Sequence, residues 1–212
     1  MAVNWENESL SAIVHLWYPG EEGGNALADV LFGDYNPAGR IPVTFYKSVD
    51  QLPPFNEYSM KGRTYRYFQG EALFPFGYGL SYTKFTYSHL IVPPQIQTQD
   101  SARISVEVQN TGSLPGEEVV ELYIKNLTSS ARVPIHSLQG FKRVHLNAGE
   151  RRSVSFTISP QQFAVINSGA KREVDPGEFE IGVGGMQPGT ASLSTDGLGQ
   201  KIKIVGKPFV VD

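Results

Sequence analysis

Three close pairs of carboxylates are the residues best suited to chemistry in this sequence: Glu6 with Glu8, Glu21 with Glu22, and Glu117 with Glu118. Two carboxyls about 5–5.5 Å apart cleave a glycosidic bond with retention, and two about 6.5–9.5 Å apart cleave it with inversion. Successive residues on a strand point to opposite faces, so of these pairs only Glu6 and Glu8 could share one. A solvated surface is the simpler account of each pair. The glycine-rich segment Pro19-Gly-Glu-Glu-Gly-Gly-Asn25 is a second candidate. Backbone N–H groups at a strand-to-helix turn can bind phosphate. The segment, however, lacks the lysine of a P-loop and the spacing of the dinucleotide fingerprint. Its two carboxylates would also repel a phosphate. Near a helix N-terminus, Glu21 and Glu22 are explained by the macrodipole, worth about 0.3–1 kcal/mol each.

His15, His89, His136 and His145 are far apart and show no zinc-ligand spacing. We therefore expect no metal site and no cofactor, and we read His15 as a hydrogen-bonded core histidine. Ser11, Ser59 and Ser81 lack the G-x-S-x-G elbow, so no triad is expected. Met60-Lys-Gly-Arg-Thr-Tyr-Arg-Tyr-Phe68 alternates cations and aromatics. In extended form it would place Arg63, Tyr65 and Tyr67 on one face, and Thr64, Arg66 and Phe68 on the other. Such a strip could stack on sugar rings, although packing onto a parent domain is the simpler expectation. Asn7-Glu-Ser9 and Asn126-Leu-Thr128 fit the glycosylation pattern, which arises often by chance.

Those residues must be positioned by elements that the rest of the sequence specifies. Charged residues are 18% and hydrophobic residues 40%, outside the composition of disordered chains. The 18 basic and 21 acidic residues give net −3, without clustered cations, so no nucleic acid is expected as a partner. Without cysteine, disulfides and thiol catalysis are excluded. No apolar run approaches the roughly 20 residues of a membrane span, so no membrane partner is expected. Met1-Ala-Val-Asn-Trp-Glu-Asn-Glu8 lacks the apolar stretch of a signal peptide.

Residues 1–46 read as α/β. Ala12–Tyr18 is a nearly continuous apolar run, expected as a buried strand. Asn25 is the expected N-cap of a helix over Ala26–Phe32, with Gly33 as its C′ residue. Val43–Tyr46 is a second short strand, preceded by the Pro37–Pro42 turn. One such unit cannot cover a parallel sheet, so these residues are expected to be the remnant of a larger α/β domain, its other strands preceding Met1. Residues 47–84 are rich in Pro, Gly and aromatics, and read as an ordered strap rather than a flexible linker. Residues 85–212 carry seven or eight short alternating segments separated by turns. They predict an immunoglobulin- or fibronectin III-like β-sandwich, with a small barrel as the alternative. The expected fold class is thus mainly β, with an incomplete α/β part and an aromatic connector in front.

Three segments, in this order and spacing, resemble glycoside hydrolase family 3. Trp17–Phe45 (WYPGEEGGNALADVLFGDYNPAGRIPVTF) is similar to the end of that family's α/β-sandwich domain. Gly62–Phe85 (GRTYRYF to FPFGYGLSYTKF) is similar to its connector, and the segments VEVQNTGSLPGEEVVELYI and LQGFKRVHLNAGE to its fibronectin III-like domain. The resemblance implies a retaining β-glycosidase that removes terminal glucosyl or xylosyl residues, often periplasmic or secreted. It implies a nucleophilic aspartate in an N-terminal barrel and an acid/base glutamate upstream of Trp17, so no catalytic residue is carried onto this chain. A (β/α)₈ barrel needs about 250 residues and does not fit in 212. The implied partners are that barrel and the rest of the α/β domain, with a β-linked oligosaccharide as a candidate ligand. Glu22, Gly23 and Gly24 match the family turn, and Arg63, Tyr65, Arg66 and Tyr67 match its connector. For these seven residues a structural or inter-domain role is expected. The alternative is a non-catalytic module that binds carbohydrate or docks an enzyme.

Overall fold

The computed structural model of the protein describes residues 2–129, 131–189 and 197–211. From Phe85 onward, β-branched and aromatic residues alternate with polar ones, the pattern that suits a pleated surface buried on one side. The strands are β1 (Phe85–Ile91), β2 (Gln95–Gln97), β3 (Ala102–Asn110), β4 (Gly116–Asn126), β5 (Ser137–Leu146), β6 (Arg151–Ile158), β7 (Val165–Ile166), β8 (Arg172–Val174), β9 (Gly177–Gly184), β10 (Leu198–Val205) and β11 (Phe209–Val210). One sheet runs β1-β3-β6 and a second β2-β10-β9-β4-β5; β7, β8 and β11 form a small third. All pairs are antiparallel except β10 with β2.

β3 shows how sequence sets register. Ala102, Ile104, Val106 and Val108 are all buried, and the residues between them are not. Their partners across the core are Val120 and Leu122 of β4, Ile181 and Val183 of β9, and Ile202 and Ile204 of β10. Two sheets closed over one core make the expected sandwich. Phe179 is 1% exposed and meets Phe163 edge-on at 5.4 Å. Phe179→Ala should cost about 3–5 kcal/mol, through lost apolar burial plus an unfilled cavity. A urea melt followed by near-ultraviolet circular dichroism measures this, and a loss below about 1 kcal/mol would contradict that packing.

The rest of the fold departs from the sequence pattern in particular places. Phe163 ends a short helix, Pro160–Phe163, directly before β7, where Ser159 and Gln162 form a capping box. Asn4–Ser9 is helical (α1), so Glu6 and Glu8 are not a strand pair on one face. The expected helix is present as α2 (Gly23–Phe32), and it ends at Gly33 with φ 87°. Its N-cap is Glu22 rather than Asn25, whose Nδ2 donates to Glu22 Oε2 at 2.5 Å. No residue of α2 is buried, and Phe32 is 84% exposed.

Ala12–Tyr18 is not a strand, and Ile13, Val14, Trp17 and Tyr18 are exposed. Strands persist through hydrogen bonds to neighbours, and among the described residues no strand lies beside this run. Val43–Tyr46 likewise reduces to one bridge, Phe45 to Phe74.

Candidate functional site: the seam between connector and sandwich

The carboxylates with the most unusual surroundings are on β4. Glu118 has the same parity as Val120 and Leu122, so it points between the two sheets. It is 3% exposed, which corrects the expectation of a solvated pair with Glu117. A buried carboxylate requires partners. Arg40 Nη2 approaches Glu118 Oε2 at 2.7 Å, and the Tyr87 phenol of β1 donates to Glu118 Oε1 at 2.6 Å. Arg40 Nε donates to the Gly185 carbonyl at 3.2 Å. Burial pushes the Glu118 carboxyl up, while Arg40 and Tyr87 pull against it. Burial and the Glu118 charge push the Tyr87 phenol well above its ordinary value. Glu117, of opposite parity, faces outward to Arg143 and Tyr35.

Glu121, also of opposite parity, lies under the connector at 4% exposure. It accepts from the Tyr123 phenol at 2.5 Å. Burial raises its carboxyl to about 7, opposed by Tyr123 and Arg40 and assisted by Glu118. Gly77 covers it with φ 82°, where a Cβ would come within 2.5 Å of Glu121 Oε2 and 2.9 Å of the Met186 Cα. Only glycine permits that approach with that backbone.

The connector is bound to this same face. Thr64–Tyr67 (α3) is one helical turn, not an extended strip. Just before the turn, Arg63 folds the 53–63 loop back on itself: its Nη2 donates to the carbonyls of Pro53, Pro54 and Glu57 at 3.5, 3.0 and 2.9 Å. Tyr65 stacks on Phe76 at 4.2 Å, stands edge-on to Tyr123, and accepts from Leu138 N at 3.1 Å through its phenol. The Arg66 carbonyl accepts from Ile135 N at 2.7 Å, and its guanidinium lies 6.0 Å from the Tyr67 ring. Asn36 ties the α2 side to the sandwich through the Pro115 carbonyl at 2.9 Å.

Glu21 and Glu22 are exposed, and Gly23 lies so close to Pro19 that a Cβ would meet its ring at 2.4 Å, whereas Gly24 faces open space. His15 is half-buried and packs edge-on to Trp17 and Phe45, but among the described residues its Nε2 has no hydrogen-bond partner, unlike the hydrogen-bonded histidine expected. Among the described residues no three acidic or histidine side chains gather as a metal site. Ser81 donates to Asn36 Oδ1 at 2.9 Å, away from any histidine partner. A cavity of about 570 Å³, lined among others by Thr44, Lys47, Tyr65, Phe68, Phe74 and Tyr78, lies beside the seam, with Lys47 paired to Glu71 at 2.7 Å.

Sequence reasoning missed Arg40, Tyr87, Glu121 and Tyr123. One signal was available: Glu118 shares parity with apolar neighbours on a strand, so it had to be buried and paired. Chemically the seam is closed. Glu118 and Glu121 are on opposite faces of one strand and both are occupied by hydrogen bonds, so they are not an acid and a nucleophile facing one bond.

Residues 1–82 match the glycosyl hydrolase family 3 C-terminal domain, and residues 118–187 match a fibronectin type III-like domain. The chain belongs to glycoside hydrolase family 3. The family 3 chain is 45% identical over 199 residues to a xylan 1,4-beta-xylosidase of Xylanibacter ruminicola, covering 92% of this chain and 22% of that protein. It is 40% identical to a periplasmic beta-glucosidase of Salmonella typhimurium, covering 87% of this chain and 26% of that protein. The structure of a beta-glucosidase from Listeria innocua in complex with glucose superposes with a TM-score of 0.83 at 27% identity, covering 98% of this chain and 30% of that one. The chain thus spans about a quarter of the length of the curated relatives it matches.

Proposed function

We propose that these 212 residues are the C-terminal part of a retaining β-glycosidase acting on terminal β-D-glucosyl or β-D-xylosyl residues. In this reading residues 1–46 are a remnant of an α/β domain, residues 47–84 a connector strap, and residues 85–212 the fibronectin III-like sandwich. The nucleophile and the acid/base are contributed by polypeptide outside them, and the 212 residues themselves are structural. Its partners are the barrel and the remaining α/β strands, and β-linked oligosaccharide is the substrate of the assembled enzyme. Glu22, Gly23 and Gly24 shape the turn into α2, while Arg63, Tyr65, Arg66 and Tyr67 fasten the connector.

The observation that carries this reading is the state of the carboxylates. Double displacement requires two carboxyls facing one glycosidic bond. Glu118 and Glu121 are sealed in the seam, and Glu22 stands exposed beside the amide of Asn25. The exposed apolar side chains of Trp17, Tyr18, Leu31 and Phe32 support a covering partner on the α2 side. The names of the relatives supply both sugars and do not choose between them.

The purified 212-residue chain is expected to give no turnover above background with aryl β-glucoside or aryl β-xyloside. Turnover abolished by Glu22→Gln, or by substitution of another carboxylate of this chain, would overturn the reading.

A further inference from the structure

The two buried carboxylates of β4 are satisfied differently. Glu118 has a cation; Glu121 has a phenol on its own strand and, among the described residues, no ion pair. The connector lies directly on Glu121 through Gly77, whose N–H donates to the Ile41 carbonyl at 2.9 Å. Next to Gly77, Phe76 is sandwiched against Tyr65, and both rings stand edge-on to Tyr123. No room exists between Gly77 and the carboxyl for the water that an ionised carboxylate needs.

The groups around Glu121 are few. Its cross-strand neighbours are Gly184 on β9 and Phe141 on β5, neither of which titrates. Further along the outer face of β5, Arg143 is committed to Glu117 and Tyr35. Tyr123 and Tyr65 contribute phenols, Arg40 acts from the 37–42 turn, and Glu118 repels from the inner side of the strand. Nothing in this set fully offsets a negative charge on Glu121.

We infer that Glu121 is a pH-operated latch on the seam: with its carboxyl protonated the connector lies closed on β4, and ionisation loosens the Phe74–Tyr78 segment from the sheet. The inference concerns the seam alone and holds wherever the catalytic carboxylates lie. The sign follows from linkage. The folded carboxyl titrates at about 7, above its unfolded value of 4.5, so the native state binds the extra proton. Closure is strongest below the unfolded value, weakens as pH rises through that window, and is weakest above about 7. A window of this width corresponds to an opening equilibrium that shifts by up to about 100-fold.

Amide hydrogen exchange of the full 212-residue chain between pH 5 and 8, corrected for intrinsic rates, reads this directly. Protection of residues 74–78 is expected to fall on the order of 100-fold across the range in the wild type. In Glu121→Gln, which keeps the shape of the protonated acid, it should stay level. Tyr123→Phe removes a donor that favours the ionised form, so its transition should move to higher pH. That variant also keeps the test decisive if Glu121→Gln folds poorly. An equal pH trend in Glu121→Gln, or a Tyr123→Phe transition that does not move, would overturn the latch.

Discussion

Arg40→Ala is expected to destabilise the chain by about 3–5 kcal/mol at neutral pH, the cost of leaving a buried carboxylate without its cation. The size comes from geometry. The side chains of Arg40 and Glu118 are 10% and 4% exposed, so the pair is held largely out of water. Tyr87 would then face the Glu118 charge alone. The loss should shrink as pH falls, because without Arg40 the carboxyl is pushed further up and its neutral form can keep the Tyr87 hydrogen bond. Arg40→Ala with Glu118→Gln should recover much of the loss, since the uncompensated charge is gone. Arg40→Lys should lie between, because an ammonium cannot hold Glu118 and the Gly185 carbonyl with one planar fork. Urea rather than guanidinium denaturation measures these differences without screening the pair. An Arg40→Ala loss below about 1 kcal/mol at pH 7, or no recovery in the double variant, would contradict the role given to this contact.

How far the sequence specified the fold varied with how local the cause is. The alternation of Ala102, Ile104, Val106 and Val108 was sufficient to place β3, because each residue states its own face. Gly33 was legible as a helix end because its left-handed φ of 87° is local chemistry. Arg40 was not legible, since its partner lies 78 residues away on β4. Glu121 was hidden for a related reason. The strand pattern shows that it faces out of the sandwich, but not that Gly77 and Phe76 cover that side. The connector failed in the opposite direction: its alternating cations and aromatics imitate a strand, whereas Gly62 with φ 72° breaks the extended backbone and the carbonyls of Pro53, Pro54 and Glu57 hold Arg63 against the preceding loop, with one helical turn following. Ala12–Tyr18 has the composition of a buried strand, and composition cannot supply the neighbours a strand must pair with.

That missing pairing carries the largest expected difference within the chain. Amides of α2 should exchange at least about 1,000-fold faster than those of β3 and β9 in the 212-residue chain. Opening free energies run from near zero for poorly packed segments up to the global value, commonly 5–15 kcal/mol, and each 1.4 kcal/mol is a tenfold change. α2 has ten residues and none is buried. An isolated helix shorter than about 12–15 residues is marginal in water, so tertiary contact must hold it. Its contacts are slender: the Tyr82 phenol on the Val30 carbonyl at 2.6 Å and the turn at Gly33. β3, by contrast, is central in its sheet, with β1 and β6 on either side. If the proposed α/β neighbours exist, a longer polypeptide that includes them should bring α2 to sandwich-like protection by covering Leu31 and Phe32, while β3 changes little. Equal protection of residues 23–32 and 104–108 in the 212-residue chain would contradict this account, because it would mean that the apolar side of α2 needs no partner to hold it.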